Sequence, residues 1–518
     1  MPGRAFRVSS AIQKREARCK QRIRRRLRRR NWRAQLQPMF RGRNLHYEGS
    51  DRVRGLGAGG IGAMQLLAQR TGLTAAIDES LRLLQVHQPY HESDHVLNIA
   101  YNILCGGKTL EDLEQRRQDE VYLDALGAKV IPDPTTAGDF CRRFSAGDVE
   151  TLLAAIDQVR MKVWQQQPVE FFAEAILEAD GTLAETTGEC KEGMGISYDG
   201  RWGYHPLVVT LANTGEPLSL VNRSGNRPSH EGAAERFDQA ITLCREAGFR
   251  RILLRGDTDF SSTQHLDRWD RAGVRFLFGI DAMPNLKEIA SELSERAWKR
   301  LHRPAKYVVQ TQARSPRENV KEQVVVERGY RNLRLNSEDV AEFAYQPGAC
   351  LRPYRGVVVR KNISVERGEW VLFDDLRYFF YLTNDFDTPA AELVLLANDR
   401  CAQEQLIDQL KNGVHALRMP VGTLVSNWAY MVMASLAWTL KAWFALLLPE
   451  QGRWGEPYAA EKRAVLKMEF RTFQQAFIAM PCQIIRAGRR IVYRLLAWNP
   501  WQRVLLRGVD ALRLPLRC

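Results

Sequence analysis

Two aspartates stand at the ends of apolar runs in the sequence, where a predicted strand gives way to a turn. Asp180 ends the run AILEAD and is followed by Gly181 and Thr182, and Asp257 ends RILLRGD before a helical segment. Ligands of open α/β sheets bind at the carboxyl ends of the strands, so carboxylates at two such ends can converge on one point. The two aspartates are therefore candidates for a catalytic pair, although aspartate is also common in ordinary turns.

A third candidate acid lies on a predicted helix. The segment 398–411 (NDRCAQEQLIDQLK) has a helical pattern and is followed by Asn-Gly, which is a helix stop signal. At about 100° per residue, Arg400, Glu404 and Lys411 share one face of that helix. The same pattern also fits a solvated face on which Arg400 and Glu404 form a surface ion pair.

Two short motifs match known sites in their letters but not in their context. Residues 91–95 (HESDH) fit H-E-x-x-H, but that zinc motif needs both histidines on one helix face, whereas Pro89 precedes the run and Ser93 is the predicted N-cap. Residues 57–62 (GAGGIG) fit G-x-G-x-x-G, but no strand precedes them. We therefore expect neither zinc-dependent hydrolysis nor dinucleotide binding.

The hydrophobic pattern predicts the elements that position these candidates. Apolar runs in FFAEAILEAD, GYHPLVVTLAN and PLSLVN predict strands, and a helix over 230–248 precedes the predicted strands RILLRG and VRFLFGI, which a helix from Ser262 separates. This order predicts a mixed α/β sheet. Residues 63–167 have a helical pattern. The segments YVVQT, VKEQVVVE, YRGVVVRKN, EWVLFD and YFFYLTN predict an inserted strand-rich block.

Positive charge is concentrated at the two ends of the chain. The formal net charge is +15, and residues 1–50 hold sixteen Lys and Arg against two acids, while residues 451–518 hold thirteen against four. The basic run 14–33 has few apolar residues, which predicts an arm that stays disordered until it meets an anion. Its arginine cluster consists of Arg24, Arg25, Arg26, Arg28, Arg29 and Arg30. Basic ends around an acidic body favour a nucleic-acid partner.

Cysteine usage and hydropathy argue against several protein classes. Nine cysteines are scattered without a C-x-x-C pair, so we expect neither a disulfide framework nor a zinc site, and a reducing cytoplasm is the expected compartment. The charged first thirty residues lack the apolar run of a secretory signal. Residues 429–448 are long and apolar enough to cross a bilayer. We predict a buried helix there, because the centre of a large protein also requires a helix that is apolar on all sides.

Several local motifs together resemble one known family. The stretches ADGT and LLRGDTDF, which contain the two aspartates, and the R-x3-E-x6-K spacing that ends at Lys411 resemble the DDE transposases of bacterial insertion sequences. Further similar stretches are KEGMGISYDGRWGYHPLVV, RSGNRPSHEGA, GGKTLEDLEQRRQDE, IPDPTTAGDFCRRF and NWAYMVMASLAWTL. The resemblance covers about residues 56–500 and is to the subgroup whose ribonuclease-H-like core carries an inserted β domain.

The resemblance implies a fold, a set of ligands and a reaction. The fold is α/β, with a ribonuclease-H-like mixed sheet, an inserted β-rich domain, an all-helical N-terminal domain and a basic helical C-terminus. Asp180, Asp257 and Glu404 would hold two Mg²⁺ or Mn²⁺ ions, because hard oxygen ligands favour these ions over zinc. The implied reaction is metal-dependent cleavage at the element ends, followed by attack of the freed 3′-hydroxyl on target DNA.

The resemblance also assigns roles to neighbouring residues. Arg400 and Lys411 would hold DNA phosphates near the scissile bond, as a planar fork and as a point charge respectively. Asp259 and Asp408 are the nearest rivals for the second and third metal ligand. One position departs from the subgroup, which has Tyr three residues before the Arg, because this chain has Ala397 there.

Domains and partners follow from charge, pattern and resemblance together. The predicted domains are a basic arm (1–50), a helical N-terminal DNA-binding domain (51–168), the first part of the core (169–299), the inserted β-rich domain (300–382), the second part of the core (383–450) and a basic helical C-terminal region (451–518). The expected partners are double-stranded DNA, in the terminal inverted repeats and the target, and further copies of the chain on paired ends. We expect no membrane and no nucleotide cofactor, and a place at the nucleoid in the bacterial cytoplasm.

Two other functions remain open from the sequence. One is a catalytically inactive DNA-binding regulator derived from a transposase. The other is a ribonuclease-H-like nuclease that cuts DNA without joining it.

Removal of the basic arm is expected to weaken DNA binding at low salt. The arm would neutralise phosphates without reading bases, so a chain starting near Phe40 should keep its preference for element ends. Log affinity falls as log salt rises, and each phosphate that is no longer neutralised should make this negative slope shallower by about 0.9 for duplex DNA. Binding titrations at several salt concentrations, with the full chain as reference, measure both quantities. An unchanged slope would show that the arm does not touch DNA.

Overall fold

A nine-stranded mixed sheet flanked by helices forms the centre of the protein. The computed structural model describes residues 10–27, 45–47, 53–304, 320–368, 370–450, 455–488 and 490–516. The strands of these ranges are β1 (Gly55–Leu56), β2 (Ala175–Gly181), β3 (Ala184–Glu185), β4 (Gly195–Ile196), β5 (Trp202–Tyr204), β6 (Leu207–Leu211), β7 (Glu216–Val221), β8 (Ile252–Gly256), β9 (Arg275–Ile280), β10 (Lys299–Arg300), β11 (Arg331–Tyr345), β12 (Tyr354–Arg367), β13 (Trp370–Thr383), β14 (Cys482–Ala487) and β15 (Arg490–Leu495). The α-helices are α1 (Ser10–Leu27), α2 (Ile61–Thr71), α3 (Leu73–Ser80), α4 (Glu92–Leu104), α5 (Leu113–Arg117), α6 (Glu120–Leu126), α7 (Pro134–Arg142), α8 (Ala146–Trp164), α9 (Ala233–Ala247), α10 (Thr263–Arg271), α11 (Pro284–Glu292), α12 (Val320–Glu327), α13 (Ala390–Asn398), α14 (Cys401–Asp408), α15 (Leu424–Leu446), α16 (Gly455–Lys467), α17 (Phe470–Phe473) and α18 (Gln502–Leu512).

The large sheet has the strand order β10-β11-β12-β13-β9-β8-β2-β6-β7. β8 runs parallel to both β2 and β9, whereas the remaining neighbours pair antiparallel. Every residue of β6 and β8 is buried, as in strands that are covered on both faces. Helix α10 makes the crossover from β8 to β9. The strands and helices predicted between residues 171 and 280 are confirmed, and the fold is mixed α/β.

The predicted strand-rich block does not form a separate sheet. β11, β12 and β13 extend the central sheet, because β13 pairs with β9. The segment VKEQVVVE, predicted as a strand, is helix α12, and EWVLFD and YFFYLTN merge into the single strand β13. The valines of α12 favour a strand by propensity, but tertiary context overrides preferences of this size. β13 pairs with β9 only near its C-terminal end, and the part of this strand that extends past β9 exposes apolar side chains such as Trp370 and Leu372.

The predicted helical N-terminal region forms α2 to α8 but has no core of its own. Its buried side chains belong to the same hydrophobic cluster as those of α15 and of the C-terminal region. Helix α15 is buried from Ser426 to Leu446 and packs against α4, α7, α8 and β7. Within the described ranges it is the one helix long and apolar enough to cross a membrane, and its whole apolar window is buried inside the protein. α15 thus occupies the position of a core helix.

Both ends of the chain differ from their predictions. The arm predicted to be disordered overlaps α1, whose sequence contains no Gly or Pro and many good helix formers. In the C-terminal region predicted as helical, β14 and β15 form a hairpin that β1 extends to three strands. Gly488, with φ of 59°, allows the tight turn between β14 and β15.

The residues of the two misleading motifs make local packing contacts. His91, rather than the predicted Ser93, is the N-cap of α4. The ring of His95 stacks on a phenylalanine of α7 with 4.2 Å between centroids, and burial lowers the pKa of His95 to about 4. In the glycine-rich run, a Cβ added to Gly60 would lie 1.8 Å from the carbonyl oxygen of Phe477. The glycine therefore permits close backbone packing against the C-terminal region.

A buried carboxylate ties the helices to the central sheet. Glu216, at the start of β7, accepts a hydrogen bond from Nε of Arg160 at 3.2 Å. The indole nitrogens of Trp164 and Trp443 also donate to Glu216, each at 2.9 Å. Arg160 in turn donates to the carbonyl of Pro217 at 2.8 Å. Because a buried charge is stable only when it is paired and hydrogen-bonded, this network fixes α8 and α15 against β7.

Glu216→Ala is expected to lower the stability of the protein strongly. Loss of one partner of a buried ion pair costs up to about 3–5 kcal/mol, and Arg160 would keep only its ion pair with Asp157. Glu295→Ala is the matched control, since Glu295 pairs with Arg360 but its side chain is 80% exposed, and an exposed pair contributes little. Unfolding of both variants and of the wild type, followed by circular dichroism, measures the difference. Equal unfolding midpoints for the two variants would contradict the role given to Glu216.

Candidate active site

Asp180 and Asp257 lie at the same edge of the central sheet, on neighbouring parallel strands. Glu178 of β2 pairs with Arg255 of β8, and each aspartate follows two residues later. Asp257 caps the turn after β8, where its Oδ1 accepts a hydrogen bond from the backbone N–H of Asp259 at 3.1 Å. The structure therefore places the two aspartates side by side, as the strand pattern predicts.

One guanidinium group lies between the two carboxylates. Nη2 of Arg400 is 4.0 Å from Oδ2 of Asp180, and Nη1 is 3.5 Å from Oδ2 of Asp257. The Arg400 side chain is only 17% exposed, and its buried Nε has no hydrogen-bond partner among the described residues. The positively charged guanidinium of Arg400 thus occupies the gap between the two aspartates. The predicted role of Arg400, to hold a DNA phosphate near the scissile bond, stays a prediction.

The carboxyl of Asp180 has a raised pKa, chiefly because it is buried. The pKa is about 6, since burial raises it, Arg400 lowers it, and the nearby charges of Asp257 and Glu404 raise it. In the described ranges, no three His, Cys, Asp or Glu side chains are placed to hold a metal ion together as they stand. The donors nevertheless suit a divalent cation, because carboxylate oxygens are its preferred ligands and a positive group already lies between two of them.

Glu404 reaches the site from α14, which is shorter than predicted. The sequence predicts one helix over 398–411, but the chain breaks between α13 and α14 at Arg400, and a π-helical turn follows over Gln409–Gly413. The helix therefore starts three residues later than predicted, with Arg400 as its N-cap, and its last turn no longer has the regular α-helical spacing on which the predicted face depends. Glu404 is exposed and lies close enough to Asp180 to raise the pKa of that carboxyl.

A buried arginine of β8 explains the helix break. Nη1 of Arg255 donates to the carbonyl of Leu396 at 2.6 Å, and Nη2 donates to the carbonyl of Asp399 at 2.9 Å. Its Nε donates to Oε1 of Glu178 on β2 at 2.6 Å. A side chain thus binds the carbonyls of Leu396 in the last turn of α13 and of the C-cap residue Asp399, where a longer helix would use backbone N–H groups. This contact holds the end of α13 just before Arg400.

A buried glutamine fastens α14 to the sheet. The side-chain oxygen of Gln403 accepts a hydrogen bond from the hydroxyl of Thr210, and its Nε2 donates to the carbonyl of Val208 at 3.3 Å. Both contacts are to β6, and Gln403 is almost completely buried. The next residue, Glu404, is held at the exposed edge by this anchor.

Lys411 lies in the π-helical turn and faces the same edge. Burial lowers the pKa of Lys411, and Arg201 lowers it further, whereas Glu185 and Asp180 raise it. Lys411 is thus within electrostatic range of both Asp180 and the residues around the small sheet β3-β5-β4. The structure thus brings Arg400, Glu404 and Lys411 to one site, although not along one helix.

His205 is a site residue that carries little sequence signal. A Cβ added to Gly181 would lie 2.5 Å from Cε1 of His205, so the ring covers the residue after Asp180. Nη2 of Arg223 lies 3.1 Å from Nδ1 of His205. Burial lowers the pKa of His205, and Arg223 lowers it further. A histidine between Tyr and Pro directly before β6 is the one local clue in the sequence.

Asp408 and Asp259, the alternative candidates for metal ligands, are both exposed, whereas Ala397, which stands at the subgroup's Tyr position, is buried. Asp408 is exposed and accepts a hydrogen bond from Nδ2 of Asn412 at 2.7 Å. Asp259 is exposed as well. Ala397 is buried in a hydrophobic cluster with Leu393, so the subgroup's Tyr position faces the interior in this chain.

The described arginines of the arm lie on α1. Arg24, Arg25 and Arg26 are exposed in the last turn of α1. Helix α1 lines a small cavity together with residues of β15 and α18. Arg28, Arg29 and Arg30 lie outside the described residues.

Comparisons with known proteins agree with the resemblance in the local motifs. A family model described as transposase DDE domain group 1 matches residues 56–515. Among solved structures, the chain is similar to the piggyBac transposase in a cryo-EM structure of its synaptic complex with hairpin DNA, at 10% sequence identity and a TM-score of 0.35, with 88% of this chain and 85% of that chain covered. No curated protein matches the chain. Since the family model spans most of the sequence and includes the aspartate pair, the protein belongs to the DDE transposases.

Proposed function

We propose that the protein is the transposase of a bacterial insertion sequence, which cuts DNA at the element ends and joins the freed 3′-hydroxyl to a target. The observation that carries this proposal is the pair of aspartates at the ends of adjacent parallel strands, with a cation between them and the carboxylate of Glu404 nearby. Family membership supports a nuclease and transposition activity.

Divalent cations fit the ligands of this site. Asp180 would contact two ions, and Asp257 and Glu404 would each complete the coordination of one. Carboxylate oxygens favour Mg²⁺ or Mn²⁺ over softer ions. Two such ions, when bound, activate the attacking oxygen and stabilise the leaving oxygen in an in-line displacement. The assignment is supported by the electrostatic effect of Asp257 and Glu404 on Asp180, since both carboxylates lie near enough to add to the rise in its pKa that burial causes.

Arg400 has a double role in this proposal. Without metal, its guanidinium neutralises Asp180 and Asp257, at distances too long for good hydrogen bonds. With the two aspartates bound to metal, the guanidinium of Arg400 would be free to hold a DNA phosphate through two parallel hydrogen bonds from its planar fork. Lys411 contributes a point charge beside it.

The finer assignments follow from the same site. The strand order β7-β6-β2-β8-β9 supports a ribonuclease-H-like core, into which β11 to β13 are inserted between β9 and α13. We infer that α2 to α8 bind the double-stranded element ends. We also infer from the R-x3-E-x6-K spacing that the protein belongs to the transposase subgroup with that signature. The proposed assembly is a homo-oligomer on paired ends, in the bacterial cytoplasm at the nucleoid, without a nucleotide cofactor.

A second candidate function is DNA binding without catalysis, as in a regulator derived from a transposase. The buried Ala397, at a position where the subgroup has Tyr, is the observation that favours it. Such a protein would bind element ends but would not cut them in Mg²⁺.

Replacement of the proposed ligands is expected to separate cleavage from binding. Asp180→Ala, Asp257→Ala and Glu404→Ala should each abolish Mg²⁺-dependent cleavage while leaving DNA binding intact, because chelation and DNA affinity rest on different residues. Asp408→Ala is the matched control, since Asp408 is an exposed carboxylate on the same helix. Labelled duplexes that carry the DNA flanking the gene allow cleavage and binding to be measured on one substrate.

The outcomes of this experiment discriminate the two candidate functions. A wild-type chain that binds these duplexes but never cuts them would establish the regulator. Normal cleavage by Glu404→Ala together with none by Asp408→Ala would show that the third ligand is misassigned.

Asp180→Asn is expected to stabilise the metal-free protein near neutral pH. The pKa of Asp180 is raised from 3.8 to about 6 in the folded state. The stability that its protonation contributes is therefore present below the unfolded pKa and is lost as the pH rises through about 6. The amide avoids this loss, so the gain in unfolding midpoint should be larger at neutral pH than near the unfolded pKa. Equal gains at both pH values would contradict a raised pKa of Asp180 in the folded state.

Metal binding gives a second measurement with the same variant. Mg²⁺ should raise the unfolding midpoint of the wild type, because a ligand stabilises the state that binds it. The midpoint of Asp180→Asn should respond much less. An identical response of both proteins would place the bound Mg²⁺ elsewhere.

A further inference from the structure

The hairpin formed by β4 and β5 turns an aromatic face toward solvent. Ile196 and Trp202 are directly opposed across the two strands, with exposed fractions of 47% and 52%. Tyr198, in the connecting turn, is fully exposed. An exposed apolar cluster is informative, because single surface hydrophobic residues are common but contiguous ones mark contact surfaces.

The opposite face of this hairpin is made of glycine and packs backbone against backbone. A Cβ added to Gly203 would lie 2.3 Å from the carbonyl oxygen of Ala184, and one added to Gly195 would lie 2.5 Å from Oγ of Ser224. A Cβ added to Gly225 would lie 2.4 Å from the carbonyl oxygen of Gly195. The hairpin is therefore seated closely on its support, and the large side chains have been placed on the outer face.

The turn that carries Tyr198 is held rigidly. The backbone N–H of Ser197 donates to the carbonyl of Arg201 at 2.8 Å, and that of Gly200 donates to the carbonyl of Ser197 at 3.0 Å. Gly200 has φ of 81°, which suits this turn. Nε of Arg201 donates to Asp199 at 2.6 Å, and a second nitrogen binds Glu185. The aromatic rings thus stand on a preformed platform.

The platform lies beside the catalytic edge. Strand β3 begins four residues after Asp180 and pairs with β5, with Ala184 opposite Tyr204. The base of the hairpin is anchored near the start of α15, because Tyr204 donates to the carbonyl of Glu192 at 2.7 Å and Glu192 N–H donates to the carbonyl of Gly422 at 2.8 Å. The hairpin is therefore fixed beside the strand end that carries Asp180.

We propose that Tyr198 and Trp202 stack on a DNA base that has left its helical stack beside the scissile phosphate. The proposal rests on the proposed function and adds a specific contact to it. Exposed aromatic rings on a rigid support are the chemistry that binds unpaired nucleotides, since every base has a face on which a ring can stack. A fully paired base cannot offer that face, so the platform selects distorted DNA.

The test compares two DNA probes in the absence of divalent metal, so that binding is measured without cleavage. One is a duplex with a single unpaired 2-aminopurine, and the other is the same duplex fully paired. The wild type should prefer the first probe and quench its 2-aminopurine fluorescence. Trp202→Ala and Tyr198→Ala should each reduce affinity for the first probe about tenfold, within the range measured for loss of a base–aromatic stack. Affinity for the paired probe should stay unchanged.

Three controls keep the result specific. Trp202→Phe retains an aromatic ring and should keep most of the preference. Trp370→Ala removes a tryptophan that is 78% exposed on the far half of β13 and should change nothing. Thermal unfolding confirms that the variants fold, as expected for exposed positions. A preference retained by Trp202→Ala and Tyr198→Ala, or lost equally in Trp370→Ala, would overturn the proposal. Failure of the wild type to bind either duplex would instead count against the proposed function.

Discussion

The buried ion pair between Glu178 and Arg255 determines the geometry of the active edge. The two residues are cross-strand partners on β2 and β8, each two residues before a candidate catalytic aspartate, and both are almost completely buried. The same guanidinium binds two carbonyls at the end of α13. One side chain therefore joins the three elements that bring Asp180, Asp257 and Arg400 together. A buried charge pair is tolerable only with further hydrogen bonds, and the planar fork of arginine can supply them where a lysine could not.

The supporting network and the catalytic edge differ in how fully their charges are compensated. Glu216 receives hydrogen bonds from one arginine and two tryptophans, all at ordinary lengths. Arg400, by contrast, lies 3.5 and 4.0 Å from its two carboxylates and leaves its Nε without a partner among the described residues. Complete compensation suits a group that must not move, whereas loose pairing suits one that exchanges partners. Local inconsistencies of this kind are expected at functional sites of otherwise well-satisfied proteins.

The strand pattern predicted the aspartate pair but not the contacts around it. Buried strands of five to seven residues with turns at their ends have a period that is visible locally, and so Asp180 and Asp257 could be placed at one sheet edge. The helix over 398–411 also has a clear local pattern, yet it is interrupted at Arg400. The local pattern is wrong in two places: it predicts a strand where α12 forms, and a helix where β14 and β15 form a hairpin. In such regions, contacts distant in sequence decide between elements of similar propensity.

The sequence by itself determined the mixed α/β sheet, the strand ends that carry the two aspartates and the family to which the motifs belong. Each of these depends on periodicity or composition within a few neighbouring residues. The tertiary structure alone decided that Arg400 lies between the aspartates, that β11 to β13 join the central sheet, and that glycines hold an aromatic hairpin beside the site. The helix break shows the physical reason, because the donor on Arg255 and the carbonyl of Leu396 are 141 residues apart in the chain. A hydrogen bond over that separation forms only after the sheet has brought both groups together, so it leaves no local pattern from which it could be predicted.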